Sequence, residues 1–200
     1  MNQVHPFGRG ENVPDEHPGD WTTHRTDTVF DQGGVRVDAV DVTAPAGDRF
    51  TEHVVHLHAA AIALVVEGDR VLTLWTYRHP TGLWGYELPG GGVDDGEDPA
   101  VAAEREAREE TGLAPIGPGR PLIAFEPLPG FLTATVHVHV WEGAEGEVTE
   151  PTGEPRDPLE PGRVRWLPLA EVPGLAAEGR LLGSGTLVGL LQYLAERAGD

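Results

Sequence analysis

The chain has 200 residues, 33 of them acidic and 14 basic, which gives a formal net charge of −19 at pH 7. This charge disfavours a nucleic-acid backbone or an anionic membrane as partner, and the absence of cysteine excludes disulfides and thiolate metal ligands. No apolar run approaches the ~18 residues of a membrane span, and none resembles a signal peptide. We therefore expect a cytoplasmic protein.

The N-terminal part of the chain divides into a polar stretch and a β-rich stretch. Residues 1–20 are rich in Gly, Pro and charged residues and lack apolar periodicity, which predicts a disordered tail. Alternation of apolar and polar residues begins near Thr28 and predicts strands over residues 35–42 and 52–58. A Pro-Ala-Gly-Asp turn lies between the two strands.

Two apolar runs follow, and they predict a β-hairpin. "AAIALVVE" (60–67) and "RVLTLWTYR" (70–78) are separated by Gly68-Asp69, a favourable turn dipeptide. A loop rich in Gly and Pro continues from the hairpin to Gly96.

A helix is predicted after this loop. Asp98 is a suitable N-cap, and Pro99 suits the first helical position. Residues 100–111 have high helix propensity, and Gly112 suits the left-handed position that ends a helix.

The remaining chain contains three further strand patterns and a closing helix. "LIAFEP", "ATVHVHVWE" and "RVRWLPL" are typical of strands, and an acidic loop over residues 143–162 separates the last two. The closing helix is amphipathic, with its predicted apolar face formed by Leu187, Leu190, Leu191 and Leu194. Strands on both sides of a central helix predict an α+β sandwich.

The central helix carries an unusual density of glutamates. Glu106 and Glu110 are one turn apart and share a face, although like charges at this spacing weaken a helix. The glycines Gly90–Gly92 allow the backbone to approach the same place, and hard cations such as Mg²⁺ prefer such oxygen ligands. The alternative is a solvated surface helix whose acids pair with arginines, as Glu104 and Arg108 can.

The spacing of this segment favours the metal-binding interpretation. The pattern is Gly, five residues, Glu, seven residues, then Arg-Glu-apolar-x-Glu-Glu-x-Gly-apolar. It is matched by Gly91, Glu97, Arg105, Glu106, Ala107, Glu109, Glu110, Gly112 and Leu113. This segment resembles the Nudix box, and the chain is identified as a member of the Nudix hydrolase family, which cleaves nucleoside diphosphates linked to another moiety.

The resemblance implies a fold, a metal and a set of site residues. The expected architecture is the Nudix α/β/α sandwich of a mixed sheet with flanking helices. The implied ligands of Mg²⁺ or Mn²⁺ are Glu106, Glu110, Glu97 and the carbonyl of Gly90. Glu109 would be a further ligand or would orient water, and Arg105 would hold a neighbouring carboxylate.

Features outside the box resemble the ADP-ribose pyrophosphatase branch of the family. In "WTYRHPTGLWGYELPGG", Arg78 would hold the diphosphate, and Glu87 would lie in or beside the metal site. Pro129 stands where this branch carries a marker proline. The residues after Gly130 depart from the branch, because no acidic side chain follows within a few positions.

The resemblance also implies an N-terminal subdomain that forms a homodimer. It predicts a small β subdomain over residues 21–58 and a Nudix domain over residues 59–200. Trp21 and Phe30 could stack on an adenine, although core packing or placement on the surface by chance are the alternatives.

In this branch the catalytic base lies on a late acidic loop. The resemblance implies Glu160 as this base, with Glu154 in reserve; the alternative is an acidic loop without a role. The predicted reaction is Mg²⁺-dependent cleavage of ADP-ribose or a related nucleoside diphosphate sugar. Hydrolysis of nucleoside triphosphates or dinucleoside polyphosphates is the enzymatic alternative, and a non-catalytic ligand sensor is a distant one.

The nine histidines offer a weaker alternative site. His56 and His58, like His137 and His139, alternate with apolar residues and so share a strand face. Their spacing matches no known zinc ligand set, and we expect them on the outward faces of strands.

Overall fold

The computed structural model describes residues 19–147 and 163–199. Nearly all of the predicted N-terminal tail lies outside these residues. In chain order, the strands are β1 Thr22–Gln32, β2 Val35–Thr43, β3 Arg49–His56, β4 Ala60–Glu67, β5 Arg70–Arg78, β6 Leu83–Glu87, β7 Gly90–Gly92, β8 Leu113–Pro115, β9 Arg120–Phe125, β10 Leu132–Thr133, β11 Val136–Glu142, β12 Ala144–Gly146 and β13 Arg163–Pro168. The helices are α1 Pro99–Thr111, α2 Val172–Ala177 and α3 Ser184–Gly199.

The chain forms two compact units. Among the described residues, the first contains those up to His58 together with Glu126–Thr135, and the second contains Ala59–Phe125 and those from Val136 onward. The domain division made from the sequence stays a prediction, and it does not anticipate that Glu126–Thr135 belongs with the first unit.

The first unit is a four-stranded sheet in the order β1-β2-β3-β10. β2 pairs antiparallel with both β1 and β3, and β10 adds to β3 in parallel. The predicted strands at 35–42 and 52–58 are confirmed, with small shifts of their ends. Alternation does not predict the beginning of β1, because its residues are mostly polar and nearly all of them are exposed.

The second unit is built on a sheet of seven strands. Five of them follow the order β13-β5-β4-β11-β9, with β6 paired to β5 and β7 paired to β4. β4 is nearly continuous in apolar residues because it is covered on both faces. Leu64 and Val66 lie in one core cluster, whereas Ala63 and Val65 lie in the cluster that includes the alanines of α1. The α+β prediction is confirmed.

The strands β4 and β5 separate soon after their predicted hairpin. They pair only at Val66↔Val71 and Glu67↔Arg70. Beyond this point β6 pairs with β5, while β7 pairs with β4. The chain from β6 to β7 therefore occupies the opening between two diverging strands, and this opening holds most of the candidate site.

Helix α1 begins and ends as the sequence predicts. The carboxylate of Asp98 accepts a hydrogen bond from the Ala100 N–H at 2.8 Å, and Pro99 occupies the first turn. Gly112 closes the helix at φ 77° and donates its N–H to the carbonyl of Arg108. Residues 113–115 then continue as a short strand.

Helix α3 packs one face against the sheet. Leu190 is fully buried and Tyr193 is almost so, but Leu191 is 44% exposed. The prediction that Leu191 shares the buried face is therefore wrong. Glycines and a threonine replace leucine where the helix lies closest to the sheet. Within residues 19–147 and 163–199, no helix has both the length and the hydrophobicity needed to cross a membrane.

His139 corrects the expectation that the histidines lie on outward strand faces. Its side chain is only 8% exposed, and its Nδ1 atom has no hydrogen-bond partner. The ring packs 6.2 Å from that of Trp141, on the side of the sheet that α1 covers. Burial, with a smaller contribution from His137, lowers the pKa of His139.

We predict that His139→Leu stabilises the protein, and more strongly at acid pH. A histidine whose pKa is lowered by folding contributes stability above its usual pKa of 6.5, and this stability is lost as the pH falls below that value. Removing an unsatisfied buried nitrogen should raise the free energy of unfolding by about 1 kcal/mol at pH 7.5, and by more at pH 5.5. Urea denaturation at both pH values measures the difference. His53→Leu, at an exposed position, is the control, and an advantage independent of pH would contradict the prediction.

Candidate active site

The glutamates of α1 are directed by the alanines beside them. Ala102, Ala103 and Ala107 are fully buried, and they hold one face of the helix close to the sheet. The adjoining face therefore meets β7, where Glu106 and Glu110 lie against the glycines.

Two of the three glycines of β7 lie in close contacts that leave no room for a Cβ atom. A Cβ atom at Gly91 would lie 2.5 Å from the carboxyl carbon of Glu106, and one at Gly90 would lie 2.5 Å from the carbonyl oxygen of Ala61. Real Cβ atoms essentially never come so close. Gly92 has no atom within 4 Å of its Cβ position. Two of the three glycines thus permit the backbone to touch the helix and the next strand.

Glu110 is the most perturbed acid of the site. Its Oε2 accepts a hydrogen bond of 2.9 Å from the Gly90 N–H. Burial raises the pKa of Glu110 to about 7, and the negative charges of Glu106 and Glu87 act in the same direction. The Gly90 N–H and Arg78 oppose this rise. A perturbed carboxyl beside further charges is a feature of functional sites.

Arg105 connects the loop to the helix. It binds both oxygens of Glu97 at 3.1 Å, Oε1 of Glu106 at 2.6 Å and the carbonyl of Gly92 at 3.1 Å. Hydrogen bonds to Glu97 and then to Glu106 raise its pKa. Glu97 in turn has its pKa lowered, first by Arg105 and then by the N–H of Asp94. The pair is planar and bidentate, which fixes the loop before α1.

Arg78, the last residue of β5, and Glu87, the last residue of β6, form a second pair. Arg78 Nε lies 2.9 Å from Oε1 and 3.0 Å from Oε2 of Glu87, and Nη2 also binds Oε2. Glu87 is 9% exposed, whereas the side chain of Arg78 is 56% exposed. The hydrogen bond to Glu87 is the largest cause of the raised pKa of Arg78, and the charge of Glu110 adds to it. The buried carboxylate of Glu87 therefore holds the Arg78 guanidinium, which still reaches solvent.

The structure brings together seven of the predicted site residues, all in the second unit: Arg78, Glu87, Gly90, Glu97, Arg105, Glu106 and Glu110. Glu109 is 62% exposed and lies 3.8 Å from Arg105. Pro129 is exposed on the Glu126–Thr135 segment of the first unit. Glu154 and Glu160 lie outside the described residues.

Trp21 and Phe30 are 55% and 47% exposed. The core-packing alternative is therefore wrong for both residues. Trp21 makes an edge contact with Phe50, with 5.9 Å between the ring centroids. Stacking on an adenine stays a prediction.

The oxygen donors near Gly90 suit a hard divalent cation. Glu110 is desolvated and lies near two further acids, so a cation would relieve the repulsion that raises its pKa. No three His, Asp or Glu side chains within residues 19–147 and 163–199 are arranged to hold a metal ion. Mg²⁺ is usually bound by one or two carboxylates, with water and substrate phosphate completing its coordination. The donor set fits that mode of binding.

Two contacts of the site have no signature in the sequence. The Asp94 N–H donates to Glu97 Oε2 at 3.1 Å, and the spacing of Glu and Arg residues gives no sign of this backbone donor. Thr186 binds the backbone of Leu88 from a distance of 98 residues in sequence. A lone threonine in an amphipathic helix gives no sign of this contact.

The chain has clear relatives among known proteins. A family model described as NUDIX domain matches residues 56–182. A CMP-5'-(N-acetyl-N-hydroxy-3-aminopropyl)phosphonate hydrolase from Streptomyces rubellomurinus is 39% identical over 94% of this chain and 82% of that protein. An ADP-ribose pyrophosphatase from Mycobacterium tuberculosis is 31% identical over 79% of this chain and 75% of that protein.

A solved structure has the same fold. The crystal structure of an ADP compounds hydrolase superposes with a TM-score of 0.74, over 90% of this chain and 95% of the other. Since the two are 21% identical, this likeness supports the fold alone.

We predict that Gly91→Ala inactivates the site while the protein stays folded. The added methyl group overlaps the carboxylate of Glu106 and must displace it or the strand. A displacement of this kind should lower kcat on the order of 100-fold. Gly92→Ala, one residue further on with open space at its Cβ, is the matched control and should stay within about twofold of wild type. Equal activities of the two variants would contradict the prediction.

We predict that Glu110→Gln stabilises the metal-free protein at alkaline pH. A carboxyl whose pKa rises from 4.5 to about 7 on folding destabilises the folded state progressively as the pH increases from 4.5 to 7. The variant should therefore be more stable than wild type by at most about 3 kcal/mol at pH 8, and no more stable near pH 4.5. Urea denaturation in the presence of a chelator measures this difference. Glu109→Gln, an exposed position on the same helix, serves as the control, and an equal effect there would refute the explanation.

Proposed function

This chain belongs to the Nudix hydrolase family, and we propose that it uses Mg²⁺ or Mn²⁺ to cleave the diphosphate of ADP-ribose or a related nucleoside diphosphate sugar. The products would be a nucleoside monophosphate and a sugar phosphate. The Mycobacterium tuberculosis relative, which is named ADP-ribose pyrophosphatase, supports this choice. The Arg78 and Pro129 stretches support it as well.

The convergence of charge at Gly90 carries the proposal. Glu110 is buried there, under the electrostatic influence of Glu106, Glu87 and Arg78. A folded protein tolerates such crowding of acids where a cation or a reaction requires it. The guanidinium of Arg105 pairs with Glu97 and with one oxygen of Glu106. It does not pair with Glu110, whose negative charge a bound cation would compensate.

The acidic residues of the site would have two different roles, metal binding and support of the loop. Glu106, Glu110 and the carbonyl of Gly90 would hold the divalent cation, which would neutralise diphosphate charge and activate water. Glu97 is held by Arg105 and by a backbone N–H, so we propose that it supports the loop. The protein's own contribution is then a rigid set of oxygens presented by α1 and β7.

Arg78 is well placed to bind the anionic substrate. Its guanidinium reaches solvent while Glu87 fixes its orientation from the buried side. A planar cation that is already oriented binds phosphate oxygens with little further loss of entropy. In a chain of net charge −19, such a cation and the bound metal ion would reverse the local repulsion of a diphosphate.

The attacking water needs a base that removes its proton as the P–O–P link breaks. Glu160 stays the predicted base, and Glu154 the reserve. Glu109 is exposed on α1 and would orient water or add a ligand. Variants at Glu160 and Glu154 distinguish the two candidates, because only the base should alter the acid limb of the pH–rate profile.

A second candidate substrate is a nucleoside monophosphate joined to a phosphonate. The Streptomyces rubellomurinus relative is named for such a substrate and is 39% identical over 94% of this chain. No Asp or Glu lies between Glu126 and Glu142, which departs from the ADP-ribose branch. Both substrates contain a P–O–P link, so the site described above would serve either of them.

We also propose that the protein is a homodimer, formed through the first unit. The sheet of that unit exposes large apolar side chains, including Val29, Phe30 and Phe50. Large apolar side chains that solvent reaches can become buried when two copies of a protein associate. The cytoplasmic location stays a prediction.

We predict that the purified protein hydrolyses ADP-ribose with Mg²⁺ or Mn²⁺ and loses this activity with a chelator. The assay separates the candidates by their products. AMP with ribose 5-phosphate indicates ADP-ribose cleavage, and CMP with a free phosphonate indicates the second candidate. A nucleoside monophosphate with pyrophosphate indicates triphosphate hydrolysis. Glu110→Gln should lower kcat by at least about 100-fold because it removes a metal ligand.

Two outcomes would contradict the proposal. One is the absence of turnover with every nucleoside diphosphate derivative, triphosphate and phosphonate conjugate at both metals, which would favour the ligand-sensor alternative. The other is full activity of Glu110→Gln.

A further inference from the structure

The N–H of Leu88 lies between two ladders of the sheet and is bonded by a side chain, not by a neighbouring strand. The pairing of β5 with β6 ends at Leu74↔Glu87, and the pairing of β4 with β7 begins at Ile62↔Gly90. Leu88 falls between these two ladders and is 4% exposed. A buried N–H without a partner costs about 1–3 kcal/mol.

Helix α3 supplies the missing acceptor. The hydroxyl oxygen of Thr186 accepts the hydrogen bond of the Leu88 N–H at 2.9 Å. Thr186 is 3% exposed, so water cannot readily replace it. The contact therefore joins the first turn of α3 to the segment between β6 and β7.

Two glycines allow the helix to come this close. A Cβ atom at Gly185 would lie 2.8 Å from Ile62, and one at Gly189 would lie 3.0 Å from Val138. Glycine inside a helix costs roughly 1 kcal/mol relative to alanine, so its presence at two positions of one face indicates a requirement for close packing.

The segment that Thr186 holds carries two groups of the candidate site. Glu87 precedes Leu88 and binds Arg78, while Gly90 lies two residues after it and donates to Glu110. The segment contacts α1 through the hydrogen bond from Gly90 to Glu110, and it contacts α3 through the hydrogen bond from Leu88 to Thr186. A shift of the Leu88 peptide therefore moves Glu87, the partner of Arg78, and Gly90, the partner of Glu110.

We infer that Thr186 is a positioning residue for the hydrolytic reaction: its hydroxyl holds the Glu87–Gly90 backbone in the register that the active site needs. This inference rests on the proposed function of the site. Thr186 acts from behind the segment, through the Leu88 peptide.

The experiment compares two substitutions of Thr186. Thr186→Val keeps the shape and removes the acceptor, and should lower kcat about tenfold with a smaller change in KM. Thr186→Ser keeps the hydroxyl and should restore kcat to within about twofold of wild type. The matched control is Tyr193→Phe, which removes another hydroxyl of α3, bonded to Glu142 at 3.3 Å and not to the catalytic segment. It should lower Tm and leave kcat unchanged.

A second measurement does not depend on activity. Amide hydrogen exchange at Gly90 reports the hydrogen bond to Glu110, and Thr186→Val should accelerate it while Tyr193→Phe should not. If wild type turns over no substrate, the proposed function fails, and Gly90 exchange separately tests whether Thr186 holds the Glu87–Gly90 backbone.

The inference is overturned if Thr186→Val leaves Gly90 exchange unchanged. It is also overturned if this variant loses stability and retains kcat as Tyr193→Phe does, or if Thr186→Ser fails to restore kcat. Faster exchange at Gly90 together with lower kcat in Thr186→Val alone supports it.

Discussion

The geometry of the candidate site depends on the contact between the glycine backbone of β7 and the glutamate carboxylates of α1. Gly91 touches the carboxylate of Glu106, and Gly90 donates its N–H to Glu110 while pressing against β4. A side chain at position 90 would overlap the backbone of β4, and one at position 91 would have to displace the carboxylate of Glu106. The small alanines of α1 bring the helix to the required distance, and the separation of β4 from β5 creates the space for the strand that carries the glycines.

Arginines limit the electrostatic cost of this arrangement without abolishing it. The guanidinium of Arg105 binds Glu97, Glu106 and the carbonyl of Gly92, which rigidifies the loop before α1. Arg78 is bound by Glu87 and still reaches solvent. The negative charge of Glu110 is only partly balanced by Arg78, as its raised pKa indicates. A site with an excess of ordered oxygen donors and one oriented cation suits a substrate that brings its own phosphates together with a divalent ion.

The sequence predicted those parts of the molecule that local patterns determine. The cap at Asp98, the end of α1 at Gly112 and the hairpin after β4 follow from propensity and turn chemistry, and all are present. The burial of His139 was not predictable, because alternation along a strand identifies a face and not what covers it. The contact of Thr186 with Leu88 was not predictable either, because it depends on how far a helix packs into the sheet.

The hydrogen bond between Leu88 and Thr186 of α3 has a consequence for when the site can form during synthesis of the chain. A ribosome has delivered every residue of the Nudix box long before it reaches Thr186. Until α3 has emerged and docked, the Leu88 N–H lacks the Thr186 acceptor that holds the peptide between Glu87 and Gly90. The nascent chain therefore carries the acidic and basic groups of the box before the backbone beside them has all its hydrogen bonds. If Thr186 positions the site as proposed, hydrolytic competence arrives only when α3 has docked.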